Sequence, residues 1–263
     1  MSNAINIAIP RQQSILEIVR AEGRVTVDGL AGSLKVTPQT IRKDLNELSD
    51  LGILQRFHGG AVLASSVANV AYTARRQLAP EAKRQIGRRA ADLIPDNASI
   101  VINIGTTTEQ VAQALRDRRG LMVITNNINV ISTLQGCDGI ELVVAGGVVR
   151  HSDGGVVGEA AVDFIRQFKV DYAIIGASAI DEDGSLLDYD YREVRVAKAI
   201  MGSARHAILV ADSMKYDRSA PVRIGHISDL STFVTDMDPP AAIRTLCNEH
   251  GVAVEVVDPS QET

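Results

Sequence analysis

This sequence of 263 residues predicts an α/β protein in two parts: a small helical unit closed by a β-hairpin, then a larger unit on an open, mostly parallel sheet. Three observations predict it. After Thr37-Pro38, apolar residues recur at helical spacing and give way to a strand, a Gly-Gly turn and a returning strand. From Ala98 onward, short apolar runs alternate with helical segments, the pattern of a sheet covered on both faces. Charge divides in the same sense: residues 1–92 hold 13 Lys+Arg against 8 Asp+Glu, a balance of +5, whereas residues 93–263 hold 14 against 24, a balance of −10. A basic end joined to an acidic partner suits a polyanion-binding module with a second domain.

Met1 to Pro10 reads as a frayed tail. Arg11 to Glu22 is predicted as the first helix, with Ile15, Leu16, Ile18 and Val19 inward and Gly23 as its stop. Val27 to Leu34 is the second, capped by Thr26. It is weak by propensity, because Gly29 stands where a capping box would have Glu or Gln and Gly32 is a further interior glycine; each costs about 1 kcal/mol relative to Ala.

Thr37 suits an N-cap and Pro38 the first helical position, where a missing N–H costs nothing. Ile41, Leu45 and Leu48 then form one buried face. Gln39, Thr40, Arg42, Lys43 and Asn46 lie on the opposite one, where such side chains can reach phosphates and base edges. Gly52 is placed to stop the helix. Ile53 to Phe57 reads as a strand, His58-Gly59-Gly60 as a tight turn and Ala61 to Leu63 as the returning strand. Two adjacent cations on a helix usually mean a solvated face. Two shorter helices before them and a hairpin carrying Arg56 and His58 after them instead make a winged helix-turn-helix, with its recognition helix starting at Pro38. The candidate contacts to double-stranded DNA are therefore Thr37, Gln39, Thr40, Arg42, Lys43, Asn46, Arg56 and His58.

Ala64 to Asn69 reads as a linker. Val70 to Leu93 is helix-like and basic, with Arg75, Arg76, Lys83, Arg84, Arg88 and Arg89, and Pro80 divides it. Such a charge run is read as a solvated connecting helix rather than a second surface lying on DNA. The expected organisation is a DNA-binding domain over 1–63, a linker and connecting helix over 64–93, and an α/β domain over 94–263. The strands expected in the last are Ser99–Ile104, Leu121–Thr125, Ile140–Ala145, Tyr172–Gly176, Ala207–Ala211, Thr232–Thr235 and Val252–Val257.

What closes those strands is informative. Gly105-Thr106-Thr107-Thr108 follows the first, Asn126-Asn127 the second, and the stretch Asp153-Gly154-Gly155-Val156-Val157-Gly158-Glu159 comes after the third. Asp212, with Lys215 beyond it, and Asp236 follow later strands. In an open parallel sheet, ligands bind at the carboxyl ends of the strands. Gly105 to Thr108 would offer an anion free backbone N–H groups, hydroxyls and the positive end of a helix, which is phosphate chemistry without a metal. A threonine run is more often a cap or turn; its place between a buried strand and a helix favours the phosphate reading. With no Walker lysine motif and no GxGxxG, nucleotides are not expected. Arg195 and Lys198 lie one turn apart on a helix beginning near Tyr189, and either face the same crevice or pair with Glu193 and surface acids.

The segments Thr40-Ile41-Arg42-Lys43-Asp44-Leu45 and His58-Gly59-Gly60-Ala61 resemble the signature of the DeoR family of bacterial repressors, which runs through TIRRDL and ends in HGGA. The resemblance extends over nearly the whole chain, through VTPQTIRKDLNEL, NIGTTTEQVAQAL, VITNNINV, DGGVVGEA and AIDEDGSLLDYDYREVR. Two positions depart from it: Val27-Asp28-Gly29 stands where acidic helix formers are favoured, and Arg192 where His is expected. The resemblance implies a mostly parallel, Rossmann-like sensor domain of the kind shared with ribose-5-phosphate isomerases and CoA transferases. It also implies that Gly105, Thr106, Thr107, Thr108, Asn126, Gly154, Gly155, Lys198, Asp212 and Lys215 form a sugar-phosphate pocket. The Asp188-Tyr189-Asp190-Tyr191 region narrows the match to members that govern glycerol 3-phosphate metabolism. The implied effector is thus a small phosphorylated compound, glycerol 3-phosphate in particular or else another sugar phosphate. A homo-oligomer is expected, because winged helices read repeated half-sites.

Hydrophobic residues make up 45% of the chain, yet no apolar run approaches a membrane span. The first ten residues lack a basic n-region and a long apolar core, so no secretory signal is read. Cys137 and Cys247 are too few and too far apart for a disulfide framework and read as reduced thiols of a cytoplasmic protein. Five histidines are scattered without metal-ligand spacing, so neither a metal nor a cofactor is expected. The alternative is an isomerase using Glu193, Lys198, Asp212 and Lys215 as acid–base groups. A complete DNA-reading module has no purpose in a plain isomerase, so the expectation is a repressor and not an enzyme.

Overall fold

The computed structural model describes residues 10–22, 24–50, 53–57, 59–63, 72–216 and 218–257. The chain divides into two compact units, residues 1–79 and 80–263.

The first unit runs α1 (Pro10–Glu22), β1 (Arg24–Thr26), α2 (Val27–Leu34), α3 (Pro38–Asp50), β2 (Leu54–Phe57), β3 (Gly60–Leu63) and α4 (Tyr72–Gln77). Ile15, Leu16 and Val19 of α1, Leu30 of α2, and Ile41, Leu45 and Leu48 of α3 are buried, the faces their spacing predicts. Ile18 is only half-buried. Thr26 accepts from the Gly29 backbone N–H at 3.1 Å. A Cβ on Gly29 would lie 2.9 Å from that Thr26 hydroxyl, so the glycine that weakens α2 also leaves room for its cap. Lys35 takes a left-handed conformation, φ 53°, and turns the chain from α2 toward α3. Thr37 Oγ1 accepts from the Thr40 N–H at 3.2 Å, the expected N-cap.

The strand β1 was not expected, since three residues are too short to show a period. It pairs antiparallel with β3, giving the order β1-β3-β2. This close pairing explains Gly60, where a Cβ would lie 2.1 Å from the Val25 carbonyl oxygen. The Arg24 guanidinium stacks 4.0 Å from the centre of the Phe57 ring. The tail before Pro10, the stops at Gly23 and Gly52, His58 and the Ala64 to Asn69 linker lie outside the described residues.

The second unit opens with α5 (Pro80–Asp92), β4 (Ser99–Ile102), α6 (Thr108–Ala114), β5 (Leu121–Thr125), α7 (Ile128–Leu134) and β6 (Ile140–Val144). A small hairpin follows, β7 (Val148–Val149) and β8 (Val156–Val157), then α8 (Glu159–Ile165) and β9 (Val170–Ile175). Next come β10 (Ala179–Ile180), β11 (Ser185–Asp188), α9 (Tyr191–Gly202), β12 (Ala204–Val210), β13 (Val222–His226), β14 (Thr232–Thr235), α10 (Ala241–Glu249) and β15 (Ala253–Val256). The seven-stranded sheet has the order β15-β14-β12-β9-β4-β5-β6, and every neighbouring pair is parallel. Its strands match the seven apolar runs to within three residues at each end, and β5 and β14 match at both ends. A second antiparallel sheet, β10-β11-β13, and the β7-β8 hairpin were not predicted, their strands being too short to show a period.

Residues of α5, α6 and α7 such as Ile86, Val111 and Val130 cover one face of the sheet. Those of α8, α9 and α10, such as Ala161, Ile200 and Ile243, cover the other. The expected solvated connecting helix is corrected here. Ala82, Lys83, Ile86, Gly87, Ala90 and Ala91 of α5 are buried, so α5 is a core helix of the second unit. Its apolar stripe at i, i+4 and i+8 lies hidden among arginines. From β4 the chain steps to β5 and β6 on one side, then to β9, β12, β14 and β15 on the other. The direction reverses between β4 and β9, which makes the carboxyl ends of those two strands the switch point.

Candidate functional site

On α3, Gln39, Arg42, Lys43 and Asn46 are exposed and Thr40 is half-buried. Lys43 is 78% exposed and only loosely paired with Glu47, at 3.9 Å. Thr37 Oγ1 is engaged as the cap and also lies 2.9 Å from the Thr40 hydroxyl. Arg56 does not stand free: its Nε donates to the Gly60 carbonyl at 3.1 Å and its Nη1 to Asn46 Oδ1 at 2.5 Å. His58 lies outside the described residues. Beneath this face, Asp44 is buried and accepts from Arg11 Nε at 2.6 Å and Nη2 at 3.0 Å. That pair was missed, although Asp44 stands with Ile41, Leu45 and Leu48 at the spacing of the inward face.

At the switch point, the segment after β4 turns back on itself. Thr108 Oγ1 lies 2.8 Å from both the Asn103 and Gly105 carbonyl oxygens, so its proton is committed to the loop. Thr106 and Thr107 are nearly buried, and Thr107 makes no capping bond. α6 has only seven residues, so the field of its N-terminus is a smaller contribution than the sequence suggested. The end of β9 meets this loop at Gly176, where a Cβ would lie 3.7 Å from Thr108 Cγ2 and 4.0 Å from the Ile104 carbonyl oxygen. Gly155 forms an antiparallel bridge with Asn127, and Asn126 Nδ2 donates to the Val156 carbonyl at 3.1 Å. The glycine-rich stretch with Gly154 and Gly155 is thereby held against the end of β5. Among the described residues, neither Asn103 Oδ1 nor Asn126 Oδ1 has a hydrogen-bond partner, although both residues are buried.

Asp212, just beyond β12, and Lys215 are both buried at this same end of the sheet. Burial works against the Asp212 charge, but Lys215, Lys83 and Arg218 outweigh it and hold the carboxyl below its ordinary range. Lys198 is a correction. It is exposed and lines a surface hollow with Arg166, Lys169 and Ser203, at the amino ends of β9 and β12 and so opposite the crevice. Helix α9 starts at Tyr191 rather than near Tyr189; its buried face runs through Glu193, Val196, Ala197 and Ile200. Arg195 and Lys198 therefore share the solvent side, and Arg195 pairs with Glu159 there.

An Arg150 cluster was also missed. Arg150 Nε donates to Asp153 Oδ1 at 2.9 Å, its Nη1 donates to Asp190 Oδ2 at 3.0 Å, and its Nη2 bonds Glu193. Burial and the neighbouring Asp188 push the Glu193 carboxyl up to about 8, with Arg150 opposing them. Asn127 and Asn129 both donate to Glu109 Oε1, at 3.2 and 3.1 Å. The carboxylates of this cluster are thus engaged by Arg150, Asn127 and Asn129. Among the described residues, no group of three or more His, Cys, Asp or Glu could hold a metal ion, and no helix is long and apolar enough to cross a membrane.

Residues 11–67 match the DeoR-like helix-turn-helix domain and residues 78–237 the DeoR C terminal sensor domain. A glycerol-3-phosphate regulon repressor of Escherichia coli (strain K12) is 42% identical over 94% of this chain and 98% of its own. One from Haemophilus influenzae is 45% identical over 90% of this chain and 92% of its own. The transcriptional repressor CsqR of Escherichia coli (strain K12) is 38% identical over 96% of each. A solved ribose 5-phosphate isomerase from Methanocaldococcus jannaschii is a distant likeness, with 17% identity over 52% of this chain and 54% of its own and a TM-score of 0.40. With a DNA-reading helix on one unit and a sensor sheet in the other, this chain belongs to the DeoR family of transcriptional regulators.

Proposed function

We propose that this chain is a DNA-binding transcriptional repressor of glycerol and glycerol 3-phosphate metabolism, released from its operator by glycerol 3-phosphate. One observation carries the reading. A single chain joins the exposed Arg42 and Lys43 of α3 to a parallel sheet at whose switch point Gly105 to Thr108, Asn126 and Asp212 follow the strands. The names of the relatives above supply the effector. Gln39, Thr40, Arg42 and Lys43 would meet phosphates and base edges directly, with Asn46 oriented by Arg56. In the crevice, Gly105 to Thr107, Gly154, Gly155 and Lys215 would take the phosphorylated end, and Asn126 would accept from a hydroxyl. Thr108 and Asp212 would act through the loop and the lysines they hold. Acting on DNA, the protein would work in the cytoplasm, as a homo-oligomer reading repeated half-sites.

The mechanism is linkage. An effector that prefers the DNA-free arrangement weakens operator affinity by the factor by which DNA weakens effector binding, a coupling of roughly 1–3 kcal/mol in typical cases. The effector leaves unaltered. An operator gel-shift with glycerol 3-phosphate, glycerol and fructose 1-phosphate tests the reading. Release by glycerol 3-phosphate and not by glycerol is expected; release by glycerol alone, or by none of the three, sinks it.

A further inference from the structure

We propose that Arg24, held on the Phe57 ring, is a contact of the wing to a phosphate of the bound DNA. The inference rests on the reading of α3 as the recognition helix, and adds to it a charge from the short strand β1.

Strand register builds the perch. Arg24 pairs with Val62 and Thr26 with Gly60 across β1 and β3, while Gln55 pairs with Val62 and Phe57 with Gly60 across β2 and β3. Paired residues of an antiparallel sheet share a face, as do residues two apart on one strand. Arg24, Thr26, Gln55 and Phe57 therefore lie on one face, and Val25, Leu54 and Ala61 on the other, where they are buried. On the open face the Phe57 ring lies over the bare backbone of Gly60, where a Cβ would come within 2.5 Å of Phe57 Cζ. The Arg24 side chain crosses the middle strand, and its guanidinium stacks 4.0 Å from the centre of that ring. Backbone, ring and guanidinium thus form three layers beside the tip of the wing, where the Val27 N–H donates to the Gly59 carbonyl at 2.9 Å.

Exposure and charge set Arg24 apart from its neighbours. It is exposed, and among the described residues it has no carboxylate partner, whereas Arg11 is spent on Asp44. Stacking occupies the flat face of a guanidinium and leaves its N–H edge free, the edge that matches two oxygens of a phosphate. It also restricts a long side chain in advance, so that less rotamer entropy is lost on binding. β2 divides its side chains between two tasks: Arg56 turns inward to Asn46 of α3, and Phe57 turns outward beneath Arg24. A cation fixed on the wing and tied through β2 to the recognition helix is placed to meet the DNA backbone beside the bases that α3 reads. A stack that served only to stabilise the wing would leave the salt dependence of DNA binding unchanged when its charge is removed.

The test is fluorescence anisotropy of the full chain with the duplex that wild type selects from a random-sequence pool, over a range of salt concentrations. Wild type is compared with Arg24→Gln, Arg24→Lys, Phe57→Leu, the double variant Arg24→Gln/Phe57→Leu, and Arg42→Ala, with thermal unfolding as the check on folding. Arg24→Gln is expected to lose about 3- to 30-fold in affinity and to lower the magnitude of the salt slope by about 1. Arg24→Lys should keep the wild-type slope. Phe57→Leu should weaken binding, and the double variant should lose no more than Arg24→Gln alone, because the ring acts through Arg24. Additive losses in the double variant would overturn the role of the ring. Should Arg24→Gln not fold, Arg24→Met takes its place: a lower slope there supports the inference, and an unchanged one overturns it. Wild-type affinity in Arg24→Gln, or a loss with unchanged slope, overturns the Arg24 inference while a weakened Arg42→Ala leaves the recognition helix standing. If wild type selects no duplex, the DNA reading itself falls and Arg24 with it.

Discussion

Arg56 Nη1 donates to Asn46 Oδ1 at 2.5 Å, tying the first strand of the wing to the exposed face of the recognition helix. The bond occupies the amide oxygen and leaves the two N–H donors of Asn46 to face acceptors, which suits phosphate oxygens and base edges. Arg56→Ala is expected to lower unfolding stability by about 0.5–1.5 kcal/mol and to weaken operator binding as well. Urea denaturation beside operator titration measures both. Unchanged stability would mean that the wing is not anchored through this contact.

Arg42 and Lys43 should report contact with DNA more directly, because neither side chain packs into the core. Arg42→Ala and Lys43→Ala are each expected to weaken operator affinity and leave effector affinity intact. Loss of a phosphate contact should reduce the magnitude of the salt slope by about 1; loss of a base contact should reduce discrimination instead. Unaltered operator affinity in both variants would remove α3 from the DNA surface.

The Arg11–Asp44 pair concerns stability. Asp44 is buried and Arg11 about one-third exposed, so Arg11→Ala leaves a carboxylate short of its partner inside the first unit. The expected cost is about 1–3 kcal/mol, below that of a wholly buried pair because water can reach the vacated side. Thermal unfolding of Arg11→Ala against Arg11→Ala/Asp44→Asn checks it, and the double variant should recover part of the loss.

Glu193 should make stability depend on pH. Its folded carboxyl is pushed up to about 8 from 4.5, so between those values the folded chain holds a proton that the unfolded chain releases. The contribution is present below about 4.5 and is lost as pH rises through about 8. Wild type is therefore expected to lose more stability than Glu193→Gln between pH 5 and pH 8, experimental values chosen to fall roughly within this window. Parallel pH profiles for the two proteins would show that Arg150 keeps Glu193 ionised throughout.

Thr106→Val removes a hydroxyl from the loop while keeping its volume. Because Thr108 already spends its proton on the Asn103 and Gly105 carbonyls, little of the loop's own structure should depend on Thr106. The expected variant still binds operator but is no longer released at the glycerol 3-phosphate concentration that frees wild type. Full release at that concentration would take the Thr106 hydroxyl out of the site.

The sequence by itself determined what repeats over a few residues. Ile41, Leu45 and Leu48 made α3 legible, Thr37 and Thr26 marked helix starts, and seven apolar runs announced the parallel strands. The residues that share the carboxyl end of the sheet were legible too, since a parallel sheet gathers whatever follows its strands at one end, as Gly105, Asn126 and Asp212 do. Only tertiary structure decided which neighbour covers a given face. Spacing put Arg195 and Lys198 on one side of a helix, but the packing of α9 turned that side to water. Spacing made α5 look like a basic connecting helix, but its contacts with α6 and β12 buried Lys83. Arg150 reaches Glu193 across more than forty positions of sequence, and β1 reaches β3 across the whole recognition helix. A period states which residues share a face; the partner of that face comes from long-range contacts, whose closure no local pattern encodes.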